Sequence, residues 1–203
     1  MKNLVIIGAS ALGREVCSYA EDCGIKVKGF LDSRSNIIDD YKNYPPILSS
    51  VETYKIALDD VFVCAIGDSL PRKQYVDLIK CKGGEFVSIL HPKAFIGANV
   101  SIGPGSIIRP FAAIGNDALI GSHVIVGIQS LVAHDCKICD YVTVSPGCHI
   151  AGWCNIGEGV FLGIHSALVP HISIGQGVYV AAGAVVTKSV DSGRVMGVPA
   201  VKK

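Results

Sequence analysis

The sequence predicts two units: an α/β front domain over residues 1–88, then an all-β coil of short parallel strands over residues 89–203. Three observations predict them. A strand runs directly into a glycine-bounded turn at the start of the chain; an aliphatic residue recurs every six positions through the second half; and charge thins sharply where that repeat begins. Between residues 96 and 187 only Arg109, Asp117, Asp135, Lys137, Asp140 and Glu158 are charged.

In the front domain, residues 4–7 read as a strand entering the turn Gly8-Ala9-Ser10-Ala11-Leu12-Gly13, which opens a helix. Residues 27–31 form a second strand ending at Asp32, and residues 61–66 a third ending at Gly67-Asp68. Strands of this kind present their carboxyl ends to a ligand, which makes the domain Rossmann-like. Amides at a helix start suit a diphosphate, and an acid at the next strand end suits a ribose or base. Ser10 stands where the dinucleotide fingerprint has its middle glycine, which disfavours a nicotinamide cofactor. Asp32 and Asp68 can equally be turn or cap residues. The boundary lies near residues 87–92, after Gly83-Gly84.

The repeat begins at Ile96 and continues through Ile102, Ile108, Ile114, Ile120, Val126, Val132, Ile138, Val144, Ile150, Ile156, Leu162, Leu168, Ile174 and Val180 to Val186 without a slip. Four residues after each comes a small or β-branched side chain, and glycine often follows the aliphatic directly. The small residue and the next aliphatic are two apart, so both face inward from one short strand. The glycine is expected to permit the corner. Three strands close a triangular coil, and stacked coils pair as parallel strands ~4.8 Å apart, with each aliphatic over the one eighteen residues away. A sandwich with accidental alternation would need fifteen in-phase coincidences.

Bulk properties exclude several classes. With a net charge of +1 and 17% charged residues, no basic field marks a nucleic-acid or anionic-membrane partner. No apolar run reaches the ~20 residues of a membrane span, and the opening run is too short for a signal-peptide core, so a cytoplasmic protein is expected. Of eight cysteines only Cys136 and Cys139 have Cys-x-x-Cys spacing. Reduced thiols buried as small hydrophobes, with no metal, are expected. Cys136 and Cys154 should stack inside the coil, and Cys148 with Ser130 and Ser166.

The period-six pattern resembles the left-handed parallel β-helix of hexapeptide-repeat acyltransferases. With the front domain included, the chain is similar to sugar acyltransferases of the sialic-acid O-acetyltransferase type, and particularly to bacterial UDP-4-amino-sugar N-acetyltransferases. The residues that carry this are Gly8-Ala9-Ser10, Phe30-Leu31-Asp32, Ala65-Ile66-Gly67, Leu131-Val132-Ala133-His134-Asp135-Cys136, Phe161-Leu162-Gly163-Ile164 and Gly197-Val198-Pro199-Ala200.

The resemblance implies an acetyl-CoA-dependent N-acetyltransferase acting on a nucleotide-linked amino sugar. His134 would be the general base, since an imidazole can take a proton from an attacking amine at neutral pH. Asp135 would orient it, and the Gly152 amide, one coil away at the same corner, would polarise the acetyl carbonyl. A corner glycine required only by its backbone angles is the plainer reading of Gly152. By the same resemblance acetyl-CoA is the cosubstrate, lying between two prisms near Gly152, Ile164 and Ala182 with Gly197 and Pro199 at the far end. The sugar nucleotide would meet Gly8, Ser10, Leu12, Asp32, Ser33 and Gly67. Two sister subunits would cover the lightly charged prism in a homotrimer.

Two departures bear on the acceptor. Ala11-Leu12 stands where the amino-sugar enzymes commonly have Gly-His, and Ser33 replaces a second acid after Asp32. The alternatives are O-acetylation of a sugar hydroxyl of the sialic-acid type, supported by Gly13-Arg14-Glu15-Val16; a non-catalytic scaffold, opposed by the retained His134; and a hexapeptide-fold carbonic anhydrase, which requires zinc. His165 and His171 are expected at the surface or an interface, and His91, His123 and His149 carry no assigned role.

Overall fold

In the computed structural model of the chain, which describes residues 2–197, five parallel strands form the front sheet. The elements are β1 (Asn3–Ile7), α1 (Ala11–Asp22), β2 (Val27–Leu31), β3 (Ile47–Ser49), β4 (Asp60–Cys64), α2 (Ser69–Cys81) and β5 (Glu85–Phe86), with sheet order β3-β2-β1-β4-β5. The order reverses beside β1, so the carboxyl ends of β1 and β4 diverge and leave a crevice there. Helix α1 buries Val16, Cys17, Tyr19 and Ala20, a stripe at helical spacing, against one face of the sheet. Helix α2 buries Val76 and Ile79 against the other.

Two-residue strands then wind a three-sided prism, a parallel β-helix. Its first face stacks Ile89–Leu90, Ile107–Ile108, Ile125–Val126, Thr143–Val144, Phe161–Leu162, Tyr179–Val180 and Arg194–Val195. The second runs from Phe95–Ile96 through Leu131–Val132 to Val185–Val186, and the third from Ser101–Ile102 through Lys137–Ile138 to Ser173–Ile174. Partners are eighteen residues apart, as at Leu131↔His149, so the inward aliphatics form continuous columns. The ladder starts one hexad earlier than Ile96, at Leu90, and the interval shortens to fifteen residues between Val180 and Val195.

The corners correct one expectation. The glycines directly after the aliphatics do not have positive φ; a Cβ on Gly115, Gly127 or Gly163 would instead come within 2.5–2.6 Å of backbone nitrogen in the next coil. They are needed for close stacking. The turn is made two residues later: all fifteen residues at six-residue intervals from Asn99 to Gly183 have positive φ, and ten of them are not glycine. Such a conformation costs roughly 1–2 kcal/mol for an L-residue. From Asp117 onward each of these residues donates its N–H to a carbonyl nineteen positions earlier, which ties the corner to the coil before it.

Five of the eight thiols behave as core, whereas Cys81 is exposed and Cys23 and Cys139 are half-buried. Cys136, Cys148 and Cys154 are buried, and the Cys148 amide donates to Ser130 Oγ at 3.2 Å while its Sγ lies 3.4 Å from Ser166 Oγ. Among the described residues no cluster of His, Cys, Asp or Glu suited to a metal ion occurs.

The front domain is joined to the prism by buried contacts. Ile107 and Ile125 point outward from the first face into the α1 side of the front core, and Tyr141 into the α2 side. His123 lies in the same seam, 1% exposed, stacked 5.1 Å from Tyr141 and edge-on to Phe86 at 4.8 Å. Among the described residues neither ring nitrogen has a hydrogen-bond partner. Burial, then the charges of Lys80 and Arg72, push its pKa down to about 4. The unfolded chain therefore binds the proton first: the contribution is complete above pH ~6.5 and is lost as pH falls toward 4. The melting temperature should fall across that window, and His123→Phe should flatten the fall. An unchanged pH slope in that variant would show that His123 does not control it.

Candidate active site

Position three of each hexad, the residue after the stacking glycine, points its side chain out at a corner. Its amide takes no part in the ladder, which is why proline is accommodated there at 104, 110, 146 and 170. At Ala98 and Ser122 this amide instead grips a side-chain oxygen of the next coil, Asn116 Oδ1 at 2.9 Å and Asp140 Oδ1 at 2.8 Å.

His134 holds this position at the corner between the second and third faces, and Asp135 follows at φ 58°. An aspartate adopts that conformation readily. The turn brings the two side chains together, with His134 Nδ1–H donating to Asp135 Oδ2 at 2.8 Å. An ionised carboxylate only accepts, so the bond fixes the tautomer with Nε2 unprotonated and able to take a proton. Both side chains are open to solvent, at 49% and 42%.

One coil on, Gly152 lies under the imidazole. A Cβ there would sit 2.7 Å from His134 Cε1 and 2.9 Å from Nε2, while the φ of Gly152 is not positive. Glycine is therefore required by the ring above it and not by backbone angles. The Gly152 amide has no acceptor among the described residues. Gly152→Ala should leave the melting temperature near wild type, because the ring can swing away, and cut turnover about 100-fold through that displacement. Retained turnover would show that the ring need not rest there.

Two neighbours of this corner carried no sequence signal beyond their register. Trp153 meets the His134 ring edge-on at 4.5 Å and stacks on His171 at 5.0 Å, with both rings exposed. Ile164 and Ala182 occupy position three at the corner between the first and second faces, across the second face from His134. His165 is exposed, as is His149, whereas His91 is buried and bonded to Asp22 at 3.0 Å. Gly197 is the last described residue of the Gly197–Ala200 segment; Pro199 lies outside the described residues.

The other residues singled out in the sequence come together elsewhere. Gly8, Ser10, Leu12, Asp32, Ser33 and Gly67 line one cavity of about 350 Å³ at the carboxyl ends of β1, β2 and β4. Gly8 turns the chain at φ 92°, and a Cβ on Gly13 would meet Gly8 O at 1.9 Å, so both glycines are needed to bring α1 this close. Ser10 is the N-cap of α1, but its hydroxyl makes no capping bond. Asp32 accepts from the Ala9 amide at 3.1 Å and binds Arg34 in a two-pronged pair at 2.9 and 3.0 Å. Burial pushes its carboxyl up, but the bonds from Arg34 and the two backbone amides outweigh that and leave the pKa lowered. The acid thus holds a cation, Arg34, on the cavity wall. Asp68 caps α2 through the Leu70 amide at 3.0 Å.

Comparison with known proteins agrees with both halves. The family description "PglD N-terminal domain" matches residues 3–79, and "Bacterial transferase hexapeptide (six repeats)" matches residues 93–127, 117–152 and 154–188. The chain thus joins a PglD-type N-terminal domain to bacterial transferase hexapeptide repeats. A UDP-N-acetylbacillosamine N-acetyltransferase of Bacillus subtilis is 30% identical over 112 residues, 53% of this chain. The match spans about half (51%) of that relative's length. A variant of GDP-perosamine N-acetyl transferase from Caulobacter crescentus, solved with CoA and GDP-perosamine, superposes with a TM-score of 0.89 at 27% identity, covering 100% of this chain and 97% of that one. WeeI from Acinetobacter baumannii is 31% identical, with a TM-score of 0.76 and 97% of each chain covered.

Proposed function

We propose that the protein transfers acetyl from acetyl-CoA to the amino group of a nucleotide-linked amino sugar. The observation that carries this is the His134–Asp135 pair, which leaves Nε2 of an exposed imidazole free to accept a proton. The amine attacks the thioester carbonyl and His134 Nε2 takes its proton. As the C–S bond breaks, the proton passes to the departing thiolate. The Gly152 amide, free of internal acceptors, is the donor for the carbonyl oxygen.

Residues 1–88 act as the sugar-nucleotide domain. The nucleotide lies in the cavity of Gly8, Ser10, Leu12, Asp32, Ser33 and Gly67, with its diphosphate toward the start of α1 and Arg34. Residues 89–203 form the catalytic domain, with CoA along Ile164 and Ala182 and reaching Gly197. In the relatives this fold is paired with N-acetylation by name, which supports the amine over a hydroxyl acceptor.

The reading includes a homotrimer. The outward row of the second face is Phe95, Ala113, Leu131, His149, Ala167 and Val185, apolar except for His149, with Phe95 62%, Leu131 36% and Val185 64% exposed. A largely apolar open row of this kind suits an interface, and a head-to-tail contact that closes gives a ring. Three copies facing an axis with this row would bring the His134 corner of one copy against the Ile164 and Ala182 corner of the next. No described helix is long and apolar enough to cross a membrane, and a cytoplasmic setting, where acetyl-CoA and sugar nucleotides are made, fits the proposed substrates.

The test is thiol release from acetyl-CoA with a panel of UDP- and GDP-linked 4-amino sugars beside unmodified sugars and sialic acid. Release only with the amino sugars is expected. Turnover confined to hydroxyl acceptors would replace this reading with O-acetylation.

A further inference from the structure

The corner that carries His134 holds one large side chain that the proposed chemistry leaves unused. Trp153 stands one coil beyond Asp135 in the same column, is 49% exposed, and among the described residues belongs to none of the three buried apolar clusters. Its φ of 57° is imposed by the corner, where Asn, Asp or Gly would sit with less strain, and an indole is the bulkiest choice there. The choice must therefore be accounted for by what the ring touches.

The coil geometry dictates that contact. Rings at the positive-φ position lean back over the preceding coil: a Cβ on Gly105 would lie 2.3 Å from the His123 ring, and one on Gly147 2.4 Å from the His165 ring. His134, at position three, leans the opposite way, over Gly152 of the following coil. Trp153 leaning back and His134 leaning forward meet with their planes at 88° and their centroids 4.5 Å apart. His171, one coil further on, lies flat on the indole at 5.0 Å and 4°, and so backs it.

The imidazole needs such a support. Its bond to Asp135 joins side chains that are 49% and 42% exposed, where water competes for both partners and one bond holds a ring weakly. Gly152 beneath it supplies room and no grip. A wall of aromatic carbon narrows the rotation of the ring, and an indole, being a donor only, cannot compete with Nε2 for the proton. We propose that Trp153 is a positioning residue for the base: backed by His171, it holds the His134 imidazole so that Nε2 stays aimed at the acceptor amine. The inference rests on the functional reading above and assigns the indole no contact with substrate.

The test is kinetic and spectroscopic, on the full chain. Trp153→Ala and Trp153→Gly are expected to lower kcat about 10-fold with the nucleotide-linked 4-amino sugar that wild type acetylates, while the KM values for that sugar and for acetyl-CoA stay within about 2-fold of wild type. Glycine adopts a positive φ without strain, so Trp153→Gly keeps the corner folded should alanine loosen it. Trp153→Phe retains an aromatic wall and should restore most of the rate. In the His134→Ala background Trp153→Ala should cost no further rate, because a residue that acts only through the imidazole has nothing left to position. Independently of turnover, the imidazole Cε1–H resonance of His134, assigned by its loss in His134→Ala, should carry the ring-current displacement of an adjacent indole and lose it in Trp153→Gly. Undiminished kcat in both deletion variants, or a change confined to KM, would overturn the assignment. So would a further loss of similar size on top of His134→Ala, which would place the indole on the substrate, or a His134 resonance that Trp153→Gly leaves unmoved. A wild type that acetylates no amino sugar would sink the functional reading and this role with it, and the resonance would still tell that failure apart from the absence of the wall.

Discussion

His134→Ala is expected to lower the rate of acetyl transfer by about 10²–10⁴-fold, the scale on which a positioned general base acts, with folding and assembly unchanged. The side chain stands on the outside of the prism, and its contacts are Asp135, the Gly152 surface and the edge of Trp153. None belongs to the inward columns, so deletion opens no core cavity. Asp135→Asn provides a graded companion. An amide can present N–H to the ring and stabilise the wrong tautomer, so the rate should fall while acetyl-CoA affinity stays. Circular dichroism, sedimentation and thiol-release kinetics on the same preparations check the claim. A His134→Ala protein with native assembly and native turnover would remove the imidazole from the chemistry.

Arg72→Ala is expected to have the largest effect on stability, about 3–5 kcal/mol, and to lower the melting temperature by roughly 10 °C. Arg72 is fully buried in the seam between α2 and the prism. Its Nη1 donates to Ile66 O at 2.7 Å, Gly67 O at 3.0 Å and Thr143 Oγ1 at 2.9 Å, and its Nη2 to Tyr141 O. Among the described residues no carboxylate forms a salt bridge with it, and burial pulls its pKa down to about 10, still high enough to keep the charge at neutral pH. Alanine would strand the Ile66 and Tyr141 carbonyls and leave a void, each a recognised source of large destabilisation, while Gly67 O would keep the Thr143 hydroxyl. Gly67 lines the proposed nucleotide cavity, so on that reading the KM for the nucleotide sugar should rise as well. A melting temperature within about 2 °C of wild type would show that the seam is held by its apolar contacts alone.

How much of this was legible in the sequence varies with the range of the interaction. The six-residue period specifies the inward columns from Ile108 to Val186, because a one-residue slip would turn every aliphatic outward. Strand β2 and the turn at Gly8 were readable for the same local reason. The corners were misread. Glycine marks the stacking position, whereas the positive-φ position carries Asp, Asn, His, Gln and aromatics as freely as glycine, so composition hides it. Strands β3 and β5 are three- and two-residue edges that exist only through pairing with β2 and β4, and no periodicity announces them.

The candidate site divides in the same way. His134, Asp135 and Gly152 follow from register and resemblance, but the reason for glycine at 152 appears only when the imidazole is seen over it. Arg72 gives no sequence signal, since its partners at 141 and 143 lie about seventy residues away.

The central claim is that this corner makes an amide on a nucleotide-linked amino sugar. The most direct measurement is the product formed from acetyl-CoA and such a sugar, weighed before and after hydroxylamine, which cleaves esters and spares amides. A singly acetylated, hydroxylamine-stable product that nearly disappears with His134→Ala is predicted. A hydroxylamine-labile product, or an undiminished yield from the alanine variant, would contradict it.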